Sequence, residues 1–309
     1  MGRAVALPAW HSLQFKGRPL TNHGIPGDRR GPSGYWLEKI PGSVFSNKKS
    51  HCHRSSRESL RNHFILMIEV ESLTKQFGTK RAVDALSFTV KKGEVLGFLG
   101  PNGAGKSTTM RMITGFLPPT SGEARVCGIS IVDNPAAAKT KIGYLPESAP
   151  LYNDMTVIGF LKFCAAIRGL KGTAKDDAVE RAIETCFLGS VARQSIDTLS
   201  KGYRHRTCLA QALLHDPEVL ILDEPTDGLD PNQKYEVRQL IKRLGKTKAI
   251  LFSTHILEEV EAACTRAVIV DRGRIVADGT PAELLEQSET GSLTDLFRKV
   301  TSRDTEAAA

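Results

Sequence analysis

The sequence predicts an α/β fold with a parallel-sheet core, on three observations. The apolar run Val95-Leu96-Gly97-Phe98-Leu99 leads through a glycine-rich turn into a helix-compatible stretch, Ser107 to Thr114. A second apolar run, Val219-Leu220-Ile221-Leu222, ends in two carboxylates, Asp223 and Glu224. Short continuous apolar runs of this kind suit strands buried on both faces. Third, Val237, Leu240, Ile241 and Leu244 recur at i, i+3, i+4 and i+7, one helical stripe for packing on a sheet.

The turn after the first run is Gly100-Pro101-Asn102-Gly103-Ala104-Gly105-Lys106-Ser107, followed by Thr108. It fits the phosphate-loop pattern G-x-x-x-x-G-K-[ST], and it sits in the required strand–loop–helix context. Glycines let successive backbone N–H groups turn inward on phosphates, because no Cβ blocks that conformation. Lys106 suits the β- and γ-phosphates, and the Ser107 hydroxyl suits Mg²⁺. A nucleoside triphosphate is the implied ligand, with Gly100 to Thr108 as its cradle.

Asp223 and Glu224 end their run where open α/β sheets hold ligands. Alone, an apolar run plus two acids is equally a plain strand end. Downstream of a phosphate loop it fits water chemistry: Asp223 as a Mg²⁺ ligand, Glu224 as the general base.

Between the two lies Leu199-Ser200-Lys201-Gly202-Tyr203-Arg204-His205-Arg206, ahead of a helical stretch to about Leu214. Ser200 is a helix-cap candidate, and Gly202 lets a phosphate approach the backbone. By itself this segment is an ordinary capped helix. Ser200 and Gly202 nevertheless stand where the ABC ATPase signature, usually Leu-Ser-Gly-Gly-Gln, has its phosphate-contacting serine and second glycine. The chain therefore resembles the nucleotide-binding subunit of an ABC transporter. Phe77 matches the aromatic that stacks on adenine, although a core residue beside a strand would read the same way. Leu229-Asp230 matches the end of the D-loop, and His255 the switch histidine. The resemblance covers roughly residues 67 to 300.

It implies an ABC cassette with an antiparallel β portion at 67–93. A RecA-like parallel core occupies 94–146 and resumes from Glu218. A helical subdomain at about 154–200, periodic in Val157–Leu170 and Lys175–Leu188, carries the signature at its end. It further implies ATP hydrolysis with Mg²⁺, with Lys106, Glu224 and His255 catalytic and Ser107, Glu147 and Asp223 around the metal. One phosphate loop and one signature per chain imply a head-to-tail dimer, compatible with a homodimer, closing on two ATP molecules. A membrane permease subunit would dock at Glu147 and Ser148–Asn153. The expected location is the cytoplasmic face of the inner membrane.

Departures from the common pattern carry information. Glu147 replaces the usual Q-loop glutamine, and an ionised carboxylate cannot donate a hydrogen bond. Lys201 and Tyr203 replace signature Gly and Gln, and Asp227 stands at the usual D-loop serine. Glu147, Lys201 and Tyr203 together resemble the gliding-motility-type branch of bacterial type-2 exporters. His205, where that branch usually has glutamine, has no counterpart in the pattern.

Charge is lopsided. Residues 1–66 hold 11 of the 42 Lys+Arg but 3 of the 34 Asp+Glu, leaving the remainder formally neutral. The basic balance thus belongs to the N-terminal segment, and nucleic-acid binding is not expected of the rest. That segment has no sustained periodicity and is rich in Gly, Pro, Ser and Arg, so disorder is expected. A native start at Met67 is also expected, because the strand-like Ile68-Glu69-Val70-Glu71 follows it directly, and a frayed tail is expected at 301–309.

No stretch reaches the ~20 apolar residues of a membrane-crossing helix. Six cysteines lie scattered without a C-x-x-C pair, which fits reduced thiols. A soluble ABC protein acting on ribosomes is the alternative, but that class usually joins two cassettes in one chain. A chromosome-type ATPase would need a long heptad repeat, and residues 108–198 contain none.

Overall fold

The computed structural model describes residues 65–288 and 290–301. The expectations for the basic segment before residue 65 and for the tail after 301 lie outside them.

β1 (Leu66–Phe77) and β2 (Lys80–Lys91) form an antiparallel hairpin. β3 (Val95–Leu99) leads into α1 (Lys106–Ile113). After α1 the chain departs from the expectation that 94–146 forms one core segment. β4 (Ser121–Val126) and β5 (Ile129–Ser130) return to the hairpin, completing an antiparallel sheet of order β2-β1-β4-β5. Gly122 permits this. Its φ is +81°, and a Cβ there would lie 2.2 Å from the Ser72 carbonyl oxygen.

α2 (Pro135–Thr140) and β6 (Ile142–Leu145) bring the chain back to the core. α3 (Val157–Ile167) and α4 (Gly172–Thr185) form the helical portion, which ends at α5 (Lys201–Leu213). Next come β7 (Val219–Asp223), α6 (Pro231–Gly245), β8 (Ala249–Thr254), α7 (Leu257–Ala263), β9 (Arg266–Asp271) and β10 (Arg274–Gly279). α8 (Pro281–Glu286) starts with a reciprocal Thr280–Glu283 cap and proline at its first position; α9 (Leu293–Thr301) closes the described chain.

The second sheet has the order β10-β9-β3-β8-β7-β6, parallel except for β10. Its central strands are buried on both faces, as their continuous apolar runs predict. Leu96, Phe98, Val219, Ile221 and Leu251 pack with β1, β2 and α1 on one face. Leu220, Leu222, Ile250 and Phe252 face the opposite way, with α5, α6 and the helical portion. Register aligns the strand ends. Leu99 pairs with Thr254 and Asp223 with Ser253, so three strands finish on one line. The site is built on that line. Among the described residues no helix is long and apolar enough to cross a membrane.

Candidate active site

The phosphate loop joins β3 to α1. Two of its glycines cannot be replaced without displacing backbone. A Cβ at Gly100 would lie 2.3 Å from the Val270 carbonyl oxygen, and one at Gly105 (φ +106°) 2.5 Å from that of Ala82. Because α1 begins at Lys106, its first-turn N–H groups lack intrahelical acceptors and form an anion-binding end. Lys106 is buried, and its Nζ donates to the carbonyls of Gly100 at 2.6 Å and Pro101 at 3.3 Å. Burial pushes its pKa down, while the carboxylates of Glu224, Asp223 and Glu147 oppose that shift. An ammonium held, among the described residues, by two neutral carbonyls and a carboxylate 3.8 Å away is available to a phosphate.

Asp223 ends β7 fully buried. Its Oδ1 accepts from Ser107 Oγ at 3.1 Å and Ser253 Oγ at 2.6 Å, whereas its Oδ2 is buried with no partner among the described residues. A buried orphan carboxylate oxygen beside a serine hydroxyl is a hard oxygen donor set, which suits Mg²⁺.

Glu224 comes next, with φ +51°, a strained conformation for a side chain of this kind. The turn is pinned by Ser253 Oγ, which accepts from Glu224 N at 2.9 Å. Burial raises the Glu224 pKa, and the bond to His255, whose Nδ1 lies 3.0 Å from Oε2, lowers it. A partly desolvated carboxylate poised against an imidazole can accept a proton from water.

Lys106, Ser107 and Glu224 open on a pocket of about 400 Å³, whose lining includes neither Asp223 nor His255. Pro101, Asn102, Gly103, Gly105, Lys106, Ser107 and Thr108 form its floor, with Glu147 and Glu224 beside them and Phe77 at the wall. Phe77 is 49% exposed, so it is not a core residue. Gly100 and Ala104 lie beneath the loop rather than in the pocket; Ala104 is buried, and its carbonyl accepts from Gly273 N at 2.8 Å.

Ser200 and Gly202 do not line this pocket. Ser200 caps α5, its Oγ accepting from Tyr203 N at 3.4 Å, and Gly202 is buried against Gln233. An adjoining cavity of about 380 Å³, which shares Glu147 with that pocket, lies between residues 147–153 and α5 and is lined by Lys201, Arg204, His205 and Asp227 among others. Lys201 and Asp227 pair across it at 2.8 Å. His205 is buried, its Nε2 has no partner among the described residues, and burial lowers its pKa.

Sequence reasoning missed three residues here: Ser253, Thr226 and Glu259. Glu259 is a carboxylate 1% exposed, bonded to the hydroxyls of Thr226 and Thr254. The one signal in the sequence was an acid beside the apolar positions Val260 and Ala263 of α7.

A family model described as ABC transporter matches residues 83–227. The chain is 41% identical over 220 residues to the linearmycin resistance ATP-binding protein LnrL of Bacillus subtilis (strain 168), covering 71% of this chain and 70% of LnrL.

The chain belongs to the ABC transporter ATP-binding family.

This ABC cassette is also 41% identical over 223 residues to YbhF of Escherichia coli (strain K12), described as a probable multidrug ABC transporter ATP-binding protein. That match covers 72% of this chain but 38% of YbhF, so the chain spans little more than a third of that relative. Among solved structures, a dimeric post-hydrolysis state of the ATP-binding cassette MJ0796, bound to ADP and Pi, superposes with a TM-score of 0.65. It is 23% identical and covers 69% of this chain and 98% of that one, a likeness of fold. The ABC cassette fold predicted from the sequence is thus the observed one.

Proposed function

We propose that this ABC cassette is the ATP-hydrolysing subunit of a bacterial type-2 exporter, driven by head-to-tail dimerisation on ATP and Mg²⁺. One observation carries the reading. Lys106 and His255 lie 3.8 and 3.0 Å from the Glu224 carboxylate and Asp223 bonds Ser107 of the phosphate loop, while Ser200 caps α5 and Gly202 is buried against Gln233. A site lacking its signature residues is completed by a second copy.

Phe77 stacks the base, and Gly100 to Thr108 hold the phosphates, with Lys106 on the β- and γ-phosphates. Asp223, Ser107 and Glu147 would hold Mg²⁺, which would supply positive charge to offset that of the phosphates. Glu224 takes the proton from the attacking water, and His255 orients Glu224 and meets the γ-phosphate. Ser200 and Gly202 of the second copy cover that phosphate, so ATP joins the two copies and its hydrolysis releases them. Transport fits the name of one relative, the probable multidrug ABC transporter protein, and export that of another, a Nod factor export ATP-binding protein of Paraburkholderia xenovorans (strain LB400), 39% identical over 225 residues. Glu147, Lys201 and Tyr203 support the gliding-motility-type branch, and the membrane subunit docks along Glu147–Asn153 at the inner face of the membrane.

The test is purification of Glu224→Gln from detergent-solubilised membranes with Mg-ATP. A closed dimer without turnover, carrying a multi-spanning protein that has no ATPase of its own, is the expected result. Ribosomes without a membrane partner would put the translation reading first, and undiminished phosphate release would reject Glu224 as the base.

A further inference from the structure

We propose that Glu259 is a positioning residue that holds Glu224 and His255 in register across two strand ends, an inference that rests on Glu224 being the base. Glu259 lies in the first turn of α7 and is 1% exposed. Both of its oxygens are used, by hydroxyls from different segments. Thr226 Oγ1 donates to Oε1, and Thr254 Oγ1 donates to Oε2 at 2.7 Å. Thr226 follows Glu224 by two residues, and Thr254 immediately precedes His255. One carboxylate therefore ties together the two loops whose side chains meet at 3.0 Å. Thr254 Oγ1 also accepts from Ile256 N at 3.0 Å, which fixes the turn on the far side of His255.

The partners of Glu259 are hydroxyls, not a cation. Burying a carboxylate this way costs stability, and well-packed apolar side chains would join the loops at least as well. Apolar packing does not set direction, however, whereas charge-assisted hydrogen bonds fix both distance and angle. The need for direction is visible at Glu224. Its φ of +51° persists only where the surroundings over-determine it. Ser253 Oγ holds its N–H at 2.9 Å, Asp227 N donates to its carbonyl at 3.1 Å, and the Thr226–Glu259 bond closes the same turn from below. Without that last tie, the loop can relax and separate the carboxylate from the imidazole.

The experiment compares Glu259→Ala, Glu259→Gln and Thr226→Val in the full chain. It measures steady-state ATP hydrolysis with Mg²⁺, affinity for a fluorescent ATP analogue, and the melting temperature. Glu259→Ala is expected to lose on the order of 10²-fold in kcat, the scale of a 1 Å misplacement, with the analogue's Kd unchanged. Glu259→Gln restores most of the rate, because its amide accepts from one threonine and donates to the other. Thr226→Val falls between. Wild-type kcat in Glu259→Ala, failure of glutamine to rescue, or an equal loss of analogue binding would each overturn the proposal. Should Glu259→Ala not fold, Thr226→Val decides, and a wild-type kcat there rejects the tether. Glu224→Gln is the control. Rapid hydrolysis by that variant rejects the base itself, whereas a fast Glu259→Ala beside an inactive Glu224→Gln rejects only the tether.

Discussion

His255 Nδ1 and Glu224 Oε2 stand 3.0 Å apart, although each follows the end of a different strand. Register makes this contact. β7 and β8 run parallel with Asp223 opposite Ser253, so continuing each strand by one or two residues brings the acid to the imidazole.

The contact predicts a pH effect. Burial raises the Glu224 pKa and the His255 bond opposes it. As the proposed base Glu224 works ionised, so kcat is expected to fall as pH drops through that pKa. Removing the opposing bond in His255→Ala leaves Lys106 as the one group, among the described residues, opposing burial, and the acid limb of kcat is expected to move to higher pH. A titration of kcat on both proteins between about pH 5 and 9 reads the shift. An unmoved limb would separate His255 from the ionisation of the base.

The same burial predicts a stability gain. A carboxyl whose folded pKa lies above its unfolded one contributes stability that is present below the unfolded pKa. That contribution is lost as pH rises through the folded pKa. At neutral pH Glu224 therefore opposes folding of the nucleotide-free protein. Glu224→Gln should raise the unfolding free energy by roughly 1 kcal/mol at pH 7, as relief of functional strain commonly does. The gain should vanish below the ordinary carboxylate range. Urea unfolding at the two pH values measures it.

The orphan oxygen of Asp223 predicts a metal-dependent stabilisation. A ligand at 100 times its Kd adds about 2.7 kcal/mol, and at about 2–4 °C per kcal/mol for a chain of this size that is a readable rise in melting temperature. Mg²⁺ with a non-hydrolysable ATP analogue should give this rise in the wild type. Asp223→Asn should keep the part due to nucleotide alone and lose the part added by Mg²⁺. Thermal melts with and without chelator separate the two.

Much of this site was legible because its chemistry is local in sequence. Gly100 to Thr108 form one loop, and Asp223 and Glu224 end one apolar run. Their convergence comes from the parallel sheet, which aligns carboxyl ends whatever the loops do. The features that escaped depend on partners far apart in the chain. Ser253 reads as the end of a strand, yet its hydroxyl donates to Asp223 and accepts from Glu224 N. Glu259 meets Thr226 across 33 residues, and no periodicity encodes such a pair. The return of β4 to the first sheet escaped for a similar reason, since Gly122 is informative only once Ser72 is known to lie against it.

Ser200 separates two roles that the sequence could not. As a helix cap it bonds Tyr203 N at 3.4 Å, a long contact, so its contribution to folding sits at the weak end for caps. Ser200→Ala should then cost about 0.5 kcal/mol in unfolding free energy. As the residue that meets the γ-phosphate of a second copy, it should matter far more. In the Glu224→Gln background, Mg-ATP should drive the parent to a dimer on size exclusion and leave the Ser200→Ala double variant monomeric at the same concentration. Binding of ATP to the monomer should be unchanged, because Ser200 does not line that pocket. A double variant that still dimerises would reduce Ser200 to its capping role and remove the main support for head-to-tail pairing.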